Sequence, residues 1–93
     1  MNFKVIFHKS LSIQHGIEEK YEKHLDENLE VIDAIKETLK NTNAFHLIFD
    51  ENNKFKTGFL FISKGTELLS TKQINEKIKK YPEIKIIPIY HGG

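Results

Sequence analysis

The spacing of apolar residues changes period along the chain, and each change restricts what that stretch can become. Phe3, Val5 and Phe7 alternate with Lys4, Ile6 and His8, the period of a strand with one buried face. Over residues 28–41 the period turns helical. Leu29, Ile32, Ala34, Ile35 and Leu39 form a stripe, and Glu30, Asp33, Lys36, Glu37 and Lys40 lie largely outside it. Asp26 or Asn28 is placed to cap that helix, and Asn41-Thr42-Asn43 to stop it. Phe45, Leu47 and Phe49 alternate again as a strand. Residues 58–63 carry the run FLFI, which reads as a central strand, and residues 84–89 form the last strand. Pro88 lacks a backbone donor, so its place is a strand terminus or an unpaired edge.

The connections are short. Residues 10–16 read as a turn, as do Asp50-Glu51-Asn52-Asn53 and Lys64-Gly65. Ile17, Tyr21 and Leu25 share one face of either a helix or a strand; Glu19 and Lys23 between them favour an edge strand beside the first. Residues 70–80 are polar except for Ile74 and Ile78, so a short helix or turn packs there by those two. The sum is an α+β fold: one main helix across one face of a mixed sheet of four to five strands.

A chain of 93 residues makes one domain, here residues 1–93, and offers no room for a deep internal active site. The net charge of +1 gives no general push toward nucleic acid or membrane. No apolar run approaches the roughly 20 residues that span a bilayer. The N-terminus has no signal-peptide pattern, which makes the cytoplasm the expected location. With no cysteine, a thiol nucleophile, a cysteine metal site and a disulfide framework are excluded.

Side-chain chemistry is sparse. The histidines at 8, 15, 24, 46 and 91 include no short metal-binding pair, so no metal site is expected. Lysines 72, 77, 79, 80 and 85 form a basic stretch whose acidic neighbours mark it as a solvated face; a docking surface for an acidic partner is the alternative. No phosphate loop, nucleophile elbow or paired-carboxylate site is present.

The sequence ends Pro88-Ile89-Tyr90-His91-Gly92-Gly93. A Gly-Gly pair at one fixed position arises by chance in about one chain in 200. Here it directly follows an apolar strand. A tail of residues 91–93, the last two without side chains, can enter a channel where any Cβ would clash. At its tip is an α-carboxylate, ionised at neutral pH. Such a group can attack the α-phosphate of ATP in a partner's active site. Ile89 and Tyr90 either form a docking patch beside the tail or close the bottom of the core, and His91 either contacts the partner or is a surface residue.

The order of elements, the run DENNKFKTGFLFISKG and the ending IKIIPIYHGG resemble the β-grasp, ubiquitin-like sulfur carriers of the MoaD and ThiS type. The His-Gly-Gly ending is also similar to the eukaryotic ubiquitin-related modifier and the small archaeal modifiers. Gly58 matches the glycine that opens the family's central strand, Ser63-Lys64-Gly65 takes the place of an Asn-Gly turn, Pro88 matches a proline before the tail, and Gly92 and Gly93 match the functional diglycine. The chain departs from the family at Lys80-Tyr81-Pro82-Glu83, where a Gly-Asp turn is usual, and in its pI of about 8.0, since many sulfur carriers are acidic. The resemblance implies a carrier and not an enzyme, with no bound cofactor. A ubiquitin-activating-like enzyme of the MoeB or ThiF type would use ATP to adenylate Gly93, and sulfur would be installed as a thiocarboxylate. The recipient would be a MoaE-like or other sulfur-accepting enzyme, in molybdopterin, thiazole or tRNA synthesis. Two alternatives stand beside it: a modifier conjugated through Gly93 to lysines of target proteins, and a β-grasp binding module with an inert tail.

Overall fold

The N-terminal alternation becomes strand β1 (Asn2–Phe7), with Phe3, Val5 and Phe7 buried on one face. The computed structural model describes residues 1–89. β2 (Lys20–His24) runs antiparallel along one side of β1, with Tyr21 opposite Val5. β5 (Glu83–Pro88) runs parallel along the other, with Ile84 opposite Val5 and Ile86 opposite Phe7. β3 (Phe59–Ser63) pairs antiparallel with β5, and β4 (Thr66–Glu67) folds back on β3, giving the order β2-β1-β5-β3-β4. The segment at 17–25 is thus the expected edge strand.

The central place belongs to β5, and β3 lies next to the short edge strand β4, which corrects the central assignment of residues 58–63. A continuous apolar run suggests cover on both faces. Here Phe61 is fully buried in the core, while Leu60 and Ile62 point the other way and stay half-buried outside it.

Helix α2 (Val31–Leu39) packs across β1 and β2 through Val31, Ala34, Ile35, Thr38 and Leu39. The expected stripe is shifted at its start: Leu29 precedes the helix, Ile32 is only half-buried, and Val31 is in the core. Neither Asp26 nor Asn28 caps it. Asp26 Oδ1 accepts from the Asn28 N–H at 2.8 Å in a local turn, and the Val31 N–H, which has no partner within the helix, is satisfied across the fold by the Glu76 carbonyl at 2.8 Å. Asn41 takes the left-handed conformation past the helix end, φ 64°.

Two stretches differ from expectation. Residues 10–16 form helix α1 (Lys9–His15), not a turn. His8 caps it through Nδ1, which accepts from the Ser10 N–H at 3.1 Å, and Gly16 ends it at φ 63°. A two-turn helix with Leu11 as its one buried residue is too short to show a period. Residues 45–49 contain helix α3 (Phe45–Ile48), not a strand. Ala44 and Ile48 are the fully buried pair, four apart, and the Phe45 and Phe49 rings stack at 4.8 Å. The row continues through Phe55 to Phe61, at 4.8 and 4.5 Å between centroids. Phe49 also pairs with Phe55 across the Asp50 turn, where Asp50 Oδ1 accepts from the N–H groups of Asn52 and Lys54. Ile74 and Ile78 are buried as expected, the first in a single 3-10 turn (Gln73–Asn75).

Candidate functional site at the root of the tail

β5 alternates like β1: Ile84 and Ile86 enter the core, and Lys85 and Ile87 face out. Pro88 closes the strand opposite Phe59, at a strand terminus where its missing donor costs nothing. One residue later the Ile89 N–H donates to the Gly58 carbonyl at 2.8 Å. Gly58 holds φ 99°, a conformation only glycine adopts readily, although a Cβ there would meet no atom within 4 Å. Its glycine is therefore fixed by backbone geometry rather than by space. Ile89 is 40% exposed, and Tyr90, His91, Gly92 and Gly93 lie outside the described residues. The chain is hydrogen-bonded to the sheet at Ile89, and four residues follow it in sequence.

Because β1 and β5 are parallel, the chain leaves β1 at the same end of the sheet. The His8 N–H donates to the Ile86 carbonyl at 2.9 Å, which seats the start of α1 beside the end of β5. Ile13 on α1 is 73% exposed; it and Ile89 are the exposed large apolar side chains among the described residues.

The sheet face turned away from α2 adds a second apolar surface. Ile6, Leu60, Ile62 and Ile87 are half-buried and take no part in the core. Register places Leu60 opposite Ile87, with Lys85 between Ile6 and Ile62. Lys4 and Glu22 pair across β1 and β2 at 3.7 Å on the same face. The sequence signal for this surface was the second apolar set inside strands that already filled one face: Ile6 in β1, Leu60 and Ile62 in β3, Ile87 in β5.

The remaining candidates are accounted for locally. His24 Nδ1 is 3.1 Å from Asn2 Oδ1, and His46 lies edge-on to Phe45. No group of three His, Cys, Asp or Glu side chains suited to a metal occurs among the described residues. Of the basic stretch, Lys77 donates to the Asn28 carbonyl and Lys80 to Gln73 Oε1, both at 3.1 Å, while Lys85 points outward from the sheet. Two shallow hollows lie elsewhere. One, of about 260 Å³, is lined by Lys40, Asn41, Thr42, Phe45 and His46. The other, of about 330 Å³, sits beside Lys64-Gly65 and Glu83, at the opposite end of β5 from the tail. Lys64 and Gly65 turn the β3–β4 hairpin at φ 51° and 75°, as expected of a two-residue turn in the Asn-Gly position. No helix among the described residues is long and apolar enough to cross a membrane.

No protein-family model and no curated protein matches the sequence. Solved structures do. A crystal structure of SAMP1 from Haloferax volcanii superposes with a TM-score of 0.77 at 14% identity, over 100% of both chains. A second structure, of H. volcanii small archaeal modifier protein 1, gives 0.74 at 12% identity over 96% of this chain and 98% of that one. The X-ray structure of Sulfolobus solfataricus Urm1 gives 0.61 at 26% identity, over 92% and 99%. The strand order, the parallel central pair and the helix across one face are those of the ubiquitin-like β-grasp fold, and this chain has that fold.

Proposed function

We propose that this chain is a ubiquitin-like sulfur carrier whose reactive group is the carboxylate of Gly93. The observation that carries the proposal is the tail root. The Ile89 N–H is hydrogen-bonded to Gly58 just past β5, and the Gly-Gly pair stands within four residues of that position. Four residues reach no farther than about 14 Å. A partner can therefore draw Gly93 into its own active site while holding the folded domain at the entrance. The Gly93 carboxylate attacks the α-phosphate of ATP, a bond to oxygen forms and pyrophosphate leaves. Hydrosulfide or its equivalent then displaces AMP from the acyl carbon and leaves a thiocarboxylate. The enzyme is of the ubiquitin-activating MoeB or ThiF type, and the sulfur passes to a MoaE-like or other accepting enzyme. Gly92 lets the tail pass a narrow channel, Pro88 and Ile89 fix where it starts, and Tyr90 and His91 are the residues nearest the channel mouth. The chain binds no cofactor, works in the cytoplasm and is not itself an enzyme.

A second reading is favoured by the name of two structural neighbours, small archaeal modifier protein 1 and SAMP1. In it the activated Gly93 is transferred to lysine amines of other proteins. Both begin with the same adenylation; tryptic Gly-Gly remnants on lysines of cellular proteins distinguish the modifier. An inert tail, the remaining alternative, predicts that removal of Gly92-Gly93 changes nothing. The test of the first step is pyrophosphate exchange into ATP, catalysed by an activating-type enzyme of the source organism and dependent on this chain. Exchange that stops when Gly93 is deleted supports the proposal, and exchange indifferent to Gly93 overturns it.

A further inference from the structure

We infer that helix α1 is a recognition element for the enzyme that acts on Gly93, with Ile13 inserting into an apolar pocket on that enzyme whose rim is acidic. The inference rests on the proposed activation of Gly93. α1 (Lys9–His15) spends only Leu11 on the core, and Ile13, two positions on, lies on another face of the helix and is 73% exposed. A single exposed isoleucine would need no explanation. This one sits on a helix whose start is seated at the end of the sheet where β5 ends, by the His8 N–H to the Ile86 carbonyl at 2.9 Å, and Ile89 at the tail root is exposed as well.

The reach of the tail names the occupant. An enzyme that encloses Gly93 has to press its surface against the domain around Ile89, because four residues span at most about 14 Å. A standard interface covers about 800 Å² on each partner, a patch roughly 30 Å across. The seven residues of α1 make a helix about 10 Å long. Its start touches Ile86, and β1 and β5 both run toward the tail end. α1 therefore falls inside the footprint. Its charge is one-sided: from His8 to Gly16 the chain carries the cation Lys9 and no carboxylate. A pocket suited to it is apolar at the centre and acidic around the edge.

The test uses the full chain and the activating-type enzyme that supports pyrophosphate exchange with it. Ile13→Asp is expected to raise the half-saturating concentration of this chain at least about tenfold, as for loss of a central anchor, with the maximal exchange rate changed by no more than about twofold. Ile13→Leu keeps wild-type behaviour. Thermal melts that match wild type show that the variants fold, as the exposure of Ile13 predicts. Unchanged half-saturation for Ile13→Asp overturns the role of α1 while leaving Gly93 activation intact. A fall in maximal rate with half-saturation unchanged also overturns it. Absence of exchange with the wild-type chain overturns both.

Discussion

Glu67 holds the far end of the β3–β4 hairpin from a half-buried position. Its Oε2 accepts from the backbone N–H groups of Phe61 at 3.0 Å and Leu69 at 3.3 Å, and its Oε1 from that of Ser70 at 2.7 Å. Burial alone would raise the pKa of this carboxyl; the N–H donors of Ser70, Phe61 and Leu69 outweigh it and hold it below the ordinary 4.5. Glu67→Gln keeps the shape but has one acceptor oxygen, so its NH2 group must face either Ser70 or the Phe61 and Leu69 pair. A hydrogen bond to a charged acceptor contributes about 1.5–3 kcal/mol. Water reaches this half-exposed site and recovers part of that, leaving a loss of about 1–2 kcal/mol at neutral pH. The sign with pH follows from the lowered pKa. Below 4.5 the unfolded chain takes up the proton more readily than the folded one. The stabilisation is complete above the unfolded value and disappears as pH falls through the folded one. Urea unfolding of both proteins at neutral pH and at pH values descending below 4.5 should show a gap that closes toward the acid end. A gap that is absent at neutral pH, or constant through the acid range, refutes the assigned role of the carboxylate.

Three further variants have expected outcomes. Gly58→Ala forces a side chain onto φ 99° and should destabilise the fold by about 1–3 kcal/mol in denaturant unfolding. The same variant should speed amide hydrogen exchange at Ile89, whose N–H donates to the Gly58 carbonyl; unchanged exchange would mean that Gly58 does not anchor the tail root. Lys64→Asn places a residue tolerant of positive φ at 51° in the hairpin turn and should add about 0.5–1 kcal/mol, read as a higher urea midpoint at unchanged slope. Phe61→Ala empties the end of the aromatic row and should cost about 3–5 kcal/mol by the same measurement.

The elements legible in the sequence were those whose period had room to repeat. β1 and β5 alternate over six residues each, and nine residues of α2 show a stripe. The Lys64-Gly65 turn was marked by its glycine, and Pro88 by its missing donor. Residues 45–49 misled because Phe45, Leu47 and Phe49 satisfy a period of two while Phe45 and Phe49 also satisfy a spacing of four. The residue that decides, Ala44, is small enough to escape notice although fully buried. The centre of the sheet was misplaced for a related reason. A continuous run such as FLFI reads as a central strand, whereas its second apolar set forms part of the outer face turned away from α2. Helix capping also escaped the sequence, because Val31 finds its partner at Glu76, forty-five positions away. At the candidate site, Pro88 stands at a strand terminus, one of the two places its missing donor allows, while Ile89 lies one residue beyond β5, exposed and outside the core. Ile13 carries no sequence signal, because the seven residues of α1 with one buried position are too few to show a helical period.

The central claim is that Gly93 carries the chemistry, and intact-protein mass spectrometry tests it most directly. The chain is incubated with the activating-type enzyme, ATP and sulfide. The account predicts a mass gain of one sulfur-for-oxygen exchange, located at Gly93 by fragmentation and absent when that residue is deleted. A terminus that remains an unmodified carboxylate with an enzyme fully active on another carrier would contradict it.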